Sequence, residues 1–255
     1  MVFFRRMLFA VAAMAGLLAG AGAASAQMNA AQRSEIEGII KDYLLKNPEV
    51  LRDALIELEK RSKLEEAAKR VEALKDLAPK IFHSKFQSVI GNPKGKIELV
   101  EFLDYNCGYC RRAMGDLVTL IKNNPDLRVV IKEFPVLGPK SVEAAQVAAA
   151  LHKQFDGPKY WAFHQRLMLS RGQVGRTEAM AAAQASGADM IRLQRDLESA
   201  DVRLAINEVM QIADALNMTG TPSYIIGDEV VVGAVGAPQI QAKIDNVRKC
   251  GKTSC

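Results

Sequence analysis

Cysteine, histidine and tryptophan are scarce in this chain: its 255 residues include 4 Cys, 3 His and 1 Trp. So few cysteines exclude a small fold built on disulfides, but they suffice for one redox pair and one structural pair. With 9 Pro and 18 Gly, no low-complexity tract is present. Hydrophobic residues make up 49% and charged residues 25%, with a net charge of +5. These values are typical of a globular protein and exclude a disordered, collagen-like or multi-spanning membrane chain.

The one long apolar run lies at the very start of the chain. Arg5 and Arg6 precede an apolar stretch over residues 7–18, and an Ala-Ser-Ala cleavage signal ends at Ala26. This pattern predicts a signal peptide over residues 1–26, cleaved after Ala26; an uncleaved membrane anchor is the alternative. Export places the protein in an oxidising compartment. Loss of the two arginines lowers the net charge to about +3, too little to indicate nucleic-acid binding.

Residues 27–80 are predicted to form a helical stem. A capping box at residues 34–37 predicts a helix start, and Asn47-Pro48 predicts that one helix ends and another begins there. Acidic residues precede basic ones by four positions along the second helix, which stabilises an exposed helix face. The pairs are Glu57/Arg61, Glu59/Lys63, Glu65/Lys69 and Glu66/Arg70.

Apolar stripes follow the other face of these helices. Their members are Ile36, Ile40, Tyr43 and Leu44, then Leu51, Leu55 and Leu58, then Leu64, Ala67, Val71 and Leu74. The stripes either pack on the chain's own domain or form the seam of a self-associating coiled coil. We therefore expect residues 27–80 to be an oligomerisation stem, with a homotrimer favoured.

A C-x-x-C motif lies inside a predicted βαβ unit. Residues 97–103 form a buried strand, residues 111–122 a helix with one apolar face, and residues 128–134 a second strand. Cys107 and Cys110 fall between the first strand and the helix. In this context the motif indicates a redox dithiol.

The position of each cysteine assigns its role. Cys107 stands at the helix N-terminus, where the amide groups and the helix dipole favour a thiolate nucleophile. Cys110, one turn later, is placed to resolve a mixed disulfide. The alternatives are a structural disulfide or half of a zinc site. His83, His152 and His164 lack ligand spacing, so no metal and no cofactor is expected.

The motif resembles the active site of DsbA-like thiol–disulfide oxidoreductases. Residues 102–111 read Phe-Leu-Asp-Tyr-Asn-Cys-Gly-Tyr-Cys-Arg, and residues 219–227 read Thr-Gly-Thr-Pro-Ser-Tyr-Ile-Ile-Gly. The second segment is similar to the family's cis-proline loop. The resemblance implies a cis Thr221–Pro222 bond, and an α/β thioredoxin fold over residues 81–255 with a helical insertion at about 140–216. It also implies a buried acid–lysine pair, Glu101 and Lys132, unless these are two unrelated surface charges.

The dipeptide Gly108-Tyr109 narrows the subtype. In the strongly oxidising members of the family that this motif resembles, the dipeptide is Pro-His, and the histidine helps to stabilise the thiolate. Tyr109 cannot supply that charge, so we expect a less oxidising site. Together with Thr221, the motif resembles oligomeric periplasmic disulfide isomerases and the suppressor-of-copper-sensitivity protein C group. The resemblance implies an enzyme that shuffles disulfides in misfolded or reduced periplasmic proteins and has a membrane redox partner. A dithiol oxidase, a copper-binding or copper-tolerance protein, and a chaperone-like scaffold remain alternatives.

The other two cysteines lie in a lysine-rich tail. Cys250 and Cys255 come after the last predicted helix, residues 238–247. An even pair in an oxidising compartment favours a local disulfide. A second redox relay and a soft-metal site are the alternatives.

Overall fold

The computed structural model describes residues 28–155 and 157–255; the predicted signal peptide lies outside them. Within these residues, every helix is too short or too polar to span a membrane. Contacts divide the chain into two units, with the boundary between Lys63 and Leu64. This boundary falls earlier than residue 80, where the helical stem is predicted to end.

The first unit contains helix α1, Ala30–Lys46, and the start of helix α2, Pro48–Phe82. The predicted start of α1 at the box of residues 34–37 is wrong. Asn29 is the N-cap instead. Its side-chain oxygen accepts from the Gln32 backbone amide at 2.9 Å, and its own backbone amide donates to the Gln32 side-chain oxygen at 3.1 Å. The predicted break at Asn47-Pro48 is confirmed.

Helix α2 is 35 residues long and continues beyond the boundary between the two units. Leu74 and Ile81 are its buried residues, and both pack in the core of the second unit. Pro79 lies in the last turns without ending the helix. The end of α2 is thus part of the second unit, which explains why the boundary precedes it.

A five-stranded sheet forms the centre of the second unit. Its order is β1-β3-β2-β4-β5. The β2–β3 pair is parallel and the other three pairs are antiparallel. The strands are β1 Ser88–Gly91, β2 Ile97–Leu103, β3 Leu127–Glu133, β4 Ser223–Ile226 and β5 Glu229–Val232.

Helix α3, Gly108–Asn123, connects the parallel strands β2 and β3. Among the described residues, five helices lie between β3 and β4, where the helical insertion is predicted, and one follows β5. They are α4 Pro139–Leu151, α5 Gly157–Met168, α6 Arg176–Ala185, α7 Met190–Leu197, α8 Ala200–Ala215 and α9 Ala237–Cys250. Together α4 to α8 form the helical insertion.

The sheet separates two apolar clusters because successive side chains of a strand point to opposite faces. Leu99 and Leu103 of β2 belong to the first cluster, with α3, α9 and most of the insertion. Val100 and Phe102 belong to the second, with the end of α2 and the second half of α8. The dithiol lies on the first face.

The C-terminal tail is packed against the fold, and the last helix is longer than the predicted residues 238–247, so the prediction that both cysteines follow it is wrong for Cys250. Helix α9 extends to Cys250, and a disulfide joins Cys250 to Cys255. Within the closed loop, Thr253 is buried, and its amide and hydroxyl both donate to Asp228 Oδ1, at 3.0 and 2.9 Å. Asp228 lies in the β4–β5 turn, so the loop caps that turn.

Candidate functional site

Cys107 and Cys110 lie at the start of α3, directly after the turn that leaves β2. Cys107 is the N-cap, and its sulfur accepts from the Cys110 amide at 3.4 Å. Both thiols are free and buried, with 5% of Cys107 and 1% of Cys110 exposed. The geometry gives Cys107 the helix N-terminus and Cys110 the first turn, as the sequence predicts.

The turn before Cys107 is fixed by the Asp104 side chain. The Cys107 amide donates to the Asp104 carbonyl oxygen at 3.0 Å, which closes the turn. The buried Asp104 carboxylate accepts four hydrogen bonds. The donors are the amides of Asn106, Val136 and Leu137, at 2.8, 2.9 and 3.0 Å, and the Ser141 hydroxyl at 2.7 Å. This carboxylate therefore joins the active-site turn to the loop after β3 and to α4.

The loop before β4 faces the nucleophile. The Thr221–Pro222 peptide bond is cis, and the Cys107 thiol donates to the Thr221 carbonyl oxygen at 3.2 Å. Because β4 pairs with β2, this loop comes to the end of the sheet that carries the dithiol. The structure thus brings Cys107, Cys110, Thr221 and Pro222 together.

Glu101 is a buried acid beneath the dithiol. Burial raises the pKa of its carboxyl group to about 8, opposed by a hydrogen bond with Tyr224 on β4. Burial also raises the pKa of the Cys110 thiol well above its usual range, and the nearby Glu101 charge adds to this effect. Cys110 is therefore protonated at neutral pH, and Glu101 is the acid–base group that lies near it.

The predicted Glu101–Lys132 pair is wrong. In the parallel register Glu101 lies opposite Ile131, so Lys132 points to the other face of the sheet. Lys132 is buried, but its ammonium donates to the Lys80 carbonyl at 2.7 Å and lies 3.5 Å from Glu208 Oε1. The lysine therefore caps the end of α2 and takes no part in the site.

The two residues between the cysteines differ in their surroundings. A Cβ added to Gly108 would meet no heavy atom within 4 Å. Tyr109 is 60% exposed, and the Arg112 guanidinium lies 4.4 Å from the centre of its ring. The dipeptide thus presents an aromatic ring and a cation at the surface beside the dithiol.

A buried polar cluster, which the sequence patterns do not predict, lies beside the site. It contains Tyr105, Glu133, Tyr160 and His164, all on the dithiol's side of the sheet. Burial raises the pKa of Glu133 to about 7 and lowers that of His164 to about 3. The available signals were an acid that ends a buried strand and a Tyr/His pair four residues apart on one helix face.

The tail cysteines are remote from the dithiol. Arg248 of α9 bonds Asn124 and Asp126, directly after the end of α3, whereas Cys107 stands at its start. Sixteen residues of helix extend about 24 Å. This separation excludes direct exchange between the two pairs of one chain. Among the described residues, no group of three or more His, Cys, Asp or Glu side chains is placed to hold a metal.

A free dithiol at a helix N-terminus, between parallel strands and facing a cis-proline loop, defines a thiol–disulfide exchange protein of the thioredoxin fold. The family model described as "Thioredoxin" matches residues 83–246, and the model "Copper resistance protein ScsC N-terminal domain" matches residues 32–68. The chain belongs to the thioredoxin-like family, among the ScsC and DsbA-like thiol–disulfide oxidoreductases. The predicted α/β thioredoxin fold with a helical insertion and an N-terminal helical stem is confirmed.

Solved structures support this assignment. A thioredoxin-like oxidoreductase from Silicibacter pomeroyi is 40% identical with a TM-score of 0.63, and the match covers 68% of this chain and 98% of that one. A linker-deletion variant of Proteus mirabilis ScsC is 27% identical with a TM-score of 0.66, covering 89% and 99%. A periplasmic thioredoxin-like protein from Salmonella enterica serovar Typhimurium is 30% identical with a TM-score of 0.60, covering 67% and 94%.

Curated relatives are more distant. The Na⁺/H⁺ antiporter NhaA 1 of Salinispora arenicola matches over 158 residues at 23% identity. The match covers 61% of this chain and 24% of the antiporter, so the chain spans about a quarter of that relative's length.

Proposed function

We propose that the protein is an exported disulfide isomerase that acts as a homo-oligomer, most simply a trimer. Its substrates are misfolded or reduced periplasmic proteins, which exchange thiols with Cys107 and Cys110. The observation that carries this proposal is the exposed apolar surface of the stem.

Every large apolar side chain in residues 28–63, the described part of the first unit, is at least partly exposed in the single chain. None of the residues of α1 is buried, and Ile40 is 52% exposed. On α2, Leu55 and Leu58 are 65% and 64% exposed. Contiguous apolar surface of this kind marks an interaction site. Ion pairs line the same helix, with Glu57–Arg61 at 2.9 Å and Glu59–Lys63 at 2.6 Å. A stripe flanked by charge pairs fits the seam of a coiled coil formed by copies of this chain.

The reaction needs only thiols and disulfides. The Cys107 thiolate attacks one sulfur of a wrong substrate disulfide, forms a mixed disulfide and releases a substrate thiolate. When another substrate thiolate attacks the same substrate sulfur, a new pairing forms, Cys107 leaves as a thiolate and no net oxidation occurs. If the substrate stalls, the ionised form of Glu101, a minor fraction at neutral pH because its pKa is raised to about 8, takes the proton of Cys110, and the Cys110 thiolate attacks Cys107. The enzyme then leaves as a disulfide and the substrate as a dithiol.

Assembly favours the isomerase route over a single exchange. Several sites held together raise the effective concentration of thiolate around a bound chain. The Gly108-Tyr109 dipeptide supports the proposal, because it lacks the histidine that strongly oxidising DsbA-like relatives carry between their two cysteines. A reduced resting state requires an electron donor, for which a membrane reductase is the proposed partner. The predicted signal peptide and the periplasmic Salmonella relative support a periplasmic location.

Charge placed on the stem stripe tests the proposal in the full-length protein. The variant Ile36→Lys/Ile40→Lys should dissociate the oligomer in light scattering, because two ammonium groups per chain would be buried in the seam. Reactivation of a scrambled, disulfide-containing substrate should fall by about tenfold or more, as expected when multivalent engagement is lost. Single-step exchange with glutathione should not change.

The matched control carries the same charges on the opposite side of α1. Ser34→Lys/Gly38→Lys has the same four-residue spacing, and a Cβ at Gly38 meets no atom within 4 Å. This control should remain oligomeric and active. A wild-type protein that is monomeric and still a strong isomerase would contradict the proposal. Efficient oxidation of reduced substrates without reshuffling would favour the dithiol oxidase instead.

Copper binding is a second candidate, favoured by the copper-resistance domain description that matches the stem. Two adjacent thiols suit Cu(I). A competition titration with a Cu(I) chelator should give about one ion per chain that depends on Cys107 and Cys110. Equal binding by Cys107→Ser/Cys110→Ser would dismiss this site.

A further inference from the structure

Side chains tie each of the three residues before Cys107 to other parts of the domain. Asp104 binds the loop after β3 and Ser141 of α4, as described above. The side-chain Nδ2 of Asn106 donates to the Ser141 hydroxyl at 3.0 Å and to the Val174 carbonyl at 2.8 Å. The side-chain Oδ1 of Asn106 accepts from the Val174 backbone amide at 2.7 Å. Both sets of contacts reach into the helical insertion. The turn that presents the nucleophile is therefore held by the insertion as well as by the sheet.

Tyr105, between these two residues, enters a buried hydrogen-bonded chain. Its hydroxyl lies 3.4 Å from the Tyr160 hydroxyl and 3.2 Å from His164 Nδ1, both on α5. The Tyr160 hydroxyl in turn donates to Glu133 Oε1 at the end of β3. All four side chains are buried, with Tyr105 and Tyr160 each 1% exposed. The chain thus runs from a strand end, through an insertion helix, to the active-site turn.

One assignment of the hydrogens satisfies every donor in this chain. Burial lowers the pKa of His164, so the ring is neutral and carries a single N–H. The Tyr160 hydroxyl donates its one hydrogen to Glu133, which leaves its oxygen free to accept from Tyr105. With the His164 hydrogen on Nδ1, the Tyr105 oxygen accepts from that ring nitrogen. Nε2, which has no protein partner among the described residues, is left as an acceptor. In this arrangement, every hydrogen in the chain has an acceptor.

Aromatic packing keeps the same groups in place. The Tyr105 ring meets the His164 ring at 5.6 Å and the Phe163 ring at 6.4 Å, both edge to face. The Trp161 ring stacks on the His164 ring, with the two ring centres 5.7 Å apart. Displacement of Tyr105 would break these contacts along with the hydrogen bonds, so the ring has one well-defined position.

We propose that Tyr105 is a positioning residue for Cys107, and that Tyr160 and Glu133 hold it, so that the helical insertion sets the reactivity of the dithiol. None of these side chains contacts the substrate; they act by fixing the turn that ends at the nucleophile. The proposal rests on the thiol exchange chemistry proposed above.

Tyrosine-to-phenylalanine variants test the chain without a change of shape. For the full-length protein, we would measure the equilibrium constant of the Cys107–Cys110 pair with glutathione and the rate of Cys107 alkylation. Tyr160→Phe and Tyr105→Phe should each change the equilibrium constant by about twofold to tenfold, the range that corresponds to one hydrogen bond. Because both hydroxyls belong to one chain, the double variant should change it no more than the more affected single variant.

Two comparisons separate positioning from general destabilisation. Ile212→Val lies in the cluster on the other face of the sheet and should lower the melting temperature without moving the equilibrium constant. Glu133→Gln keeps an acceptor oxygen for Tyr160 and should resemble the wild type, whereas Glu133→Leu should resemble Tyr160→Phe.

The outcomes are distinguishable. Unchanged equilibrium constants and alkylation rates in the tyrosine variants, or a change that Ile212→Val reproduces, would overturn the inference alone. Additive effects of the two tyrosine variants would also overturn it, because they would show two independent contacts. A wild-type dithiol that does not exchange with glutathione would overturn the proposed function and this inference with it.

Discussion

Replacement of Glu101 with glutamine should make stability less dependent on pH. Burial raises the pKa of this carboxyl group from its ordinary value of 4.5 to about 8. As the pH rises from 4.5 towards 8, the unfolded chain loses the proton while the native state keeps it. Native stability from this group is therefore complete below pH 4.5 and falls as the pH approaches 8. The Glu101→Gln variant has no such proton and avoids this loss.

The size of the effect follows from the linkage between protonation and folding. Each pH unit in this window changes the free energy of unfolding by about 1.4 kcal/mol. Between pH 5 and pH 7, the wild type should therefore lose about 3 kcal/mol more than Glu101→Gln. The glutamine amide has to find a partner next to Tyr224, which costs the variant stability at both pH values. Comparison across pH removes that constant cost, and the second buried acid, Glu133, contributes equally to both proteins.

Urea unfolding of the reduced proteins at pH 5 and pH 7 measures the difference directly. Glu198→Gln, at the exposed C-cap residue that follows α7, is the matched control and should follow the wild type. Glu101→Gln should also slow the attack of Cys110 on a mixed disulfide with glutathione by about a hundredfold, because general-base assistance is lost. An equal loss of stability in wild type and variant between the two pH values would refute the reasoning. An unchanged resolving rate would remove Glu101 from the chemistry.

Three further predictions concern the cysteines and the proline loop. Cys110→Ala should accumulate mixed disulfides with substrates on denaturing gels, whereas Cys107→Ala should trap none; equal trapping would reverse the assignment of roles. Thr221→Val should change the redox potential and the turnover without a loss of helical circular dichroism, and unchanged values would make the hydroxyl merely structural. Cys250→Ser/Cys255→Ser should keep full exchange activity and lose about 2 kcal/mol of stability or less, because the bridged loop is short; lost isomerisation with an intact fold would assign the tail a redox role.

Local patterns were sufficient to predict most of the fold. The buried run of β2, the amphipathic α3 and the apolar β3 each follow from hydrophobic periodicity, and Pro48 marks a helix start through its fixed backbone angle. The start of α1 was misplaced because the pattern at residues 34–37 fits a capping box as well as Asn29 does. Propensity alone does not decide which of two such boxes is used.

Strand register and helix docking decided what the sequence could not show. Whether Glu101 and Lys132 share a face of the sheet depends on the register between β2 and β3, which the sequence does not show. In the observed parallel register Glu101 lies opposite Ile131, so Glu101 and Lys132 point to opposite faces. The role of Tyr160 depends on how α5 packs against the end of β3. Such contacts between distant segments leave no periodic signal along the chain.

Strand β3 buries opposite charges on its two faces within two residues. Lys132 points towards the end of α2, and the adjacent Glu133 points towards the dithiol side, with 2% and 5% of each residue exposed. The sheet thus separates a buried lysine, which is paired with Glu208, from a buried acid on the side of the dithiol. Insertion or deletion of a single residue in Leu127–Glu133 would exchange the two. An ammonium group would then lie on the side of Cys110, and a carboxylate would face the carbonyl oxygens that end α2. The length of this strand therefore constrains the protein more tightly than its composition does, and a thioredoxin-fold chimera should keep the segment intact.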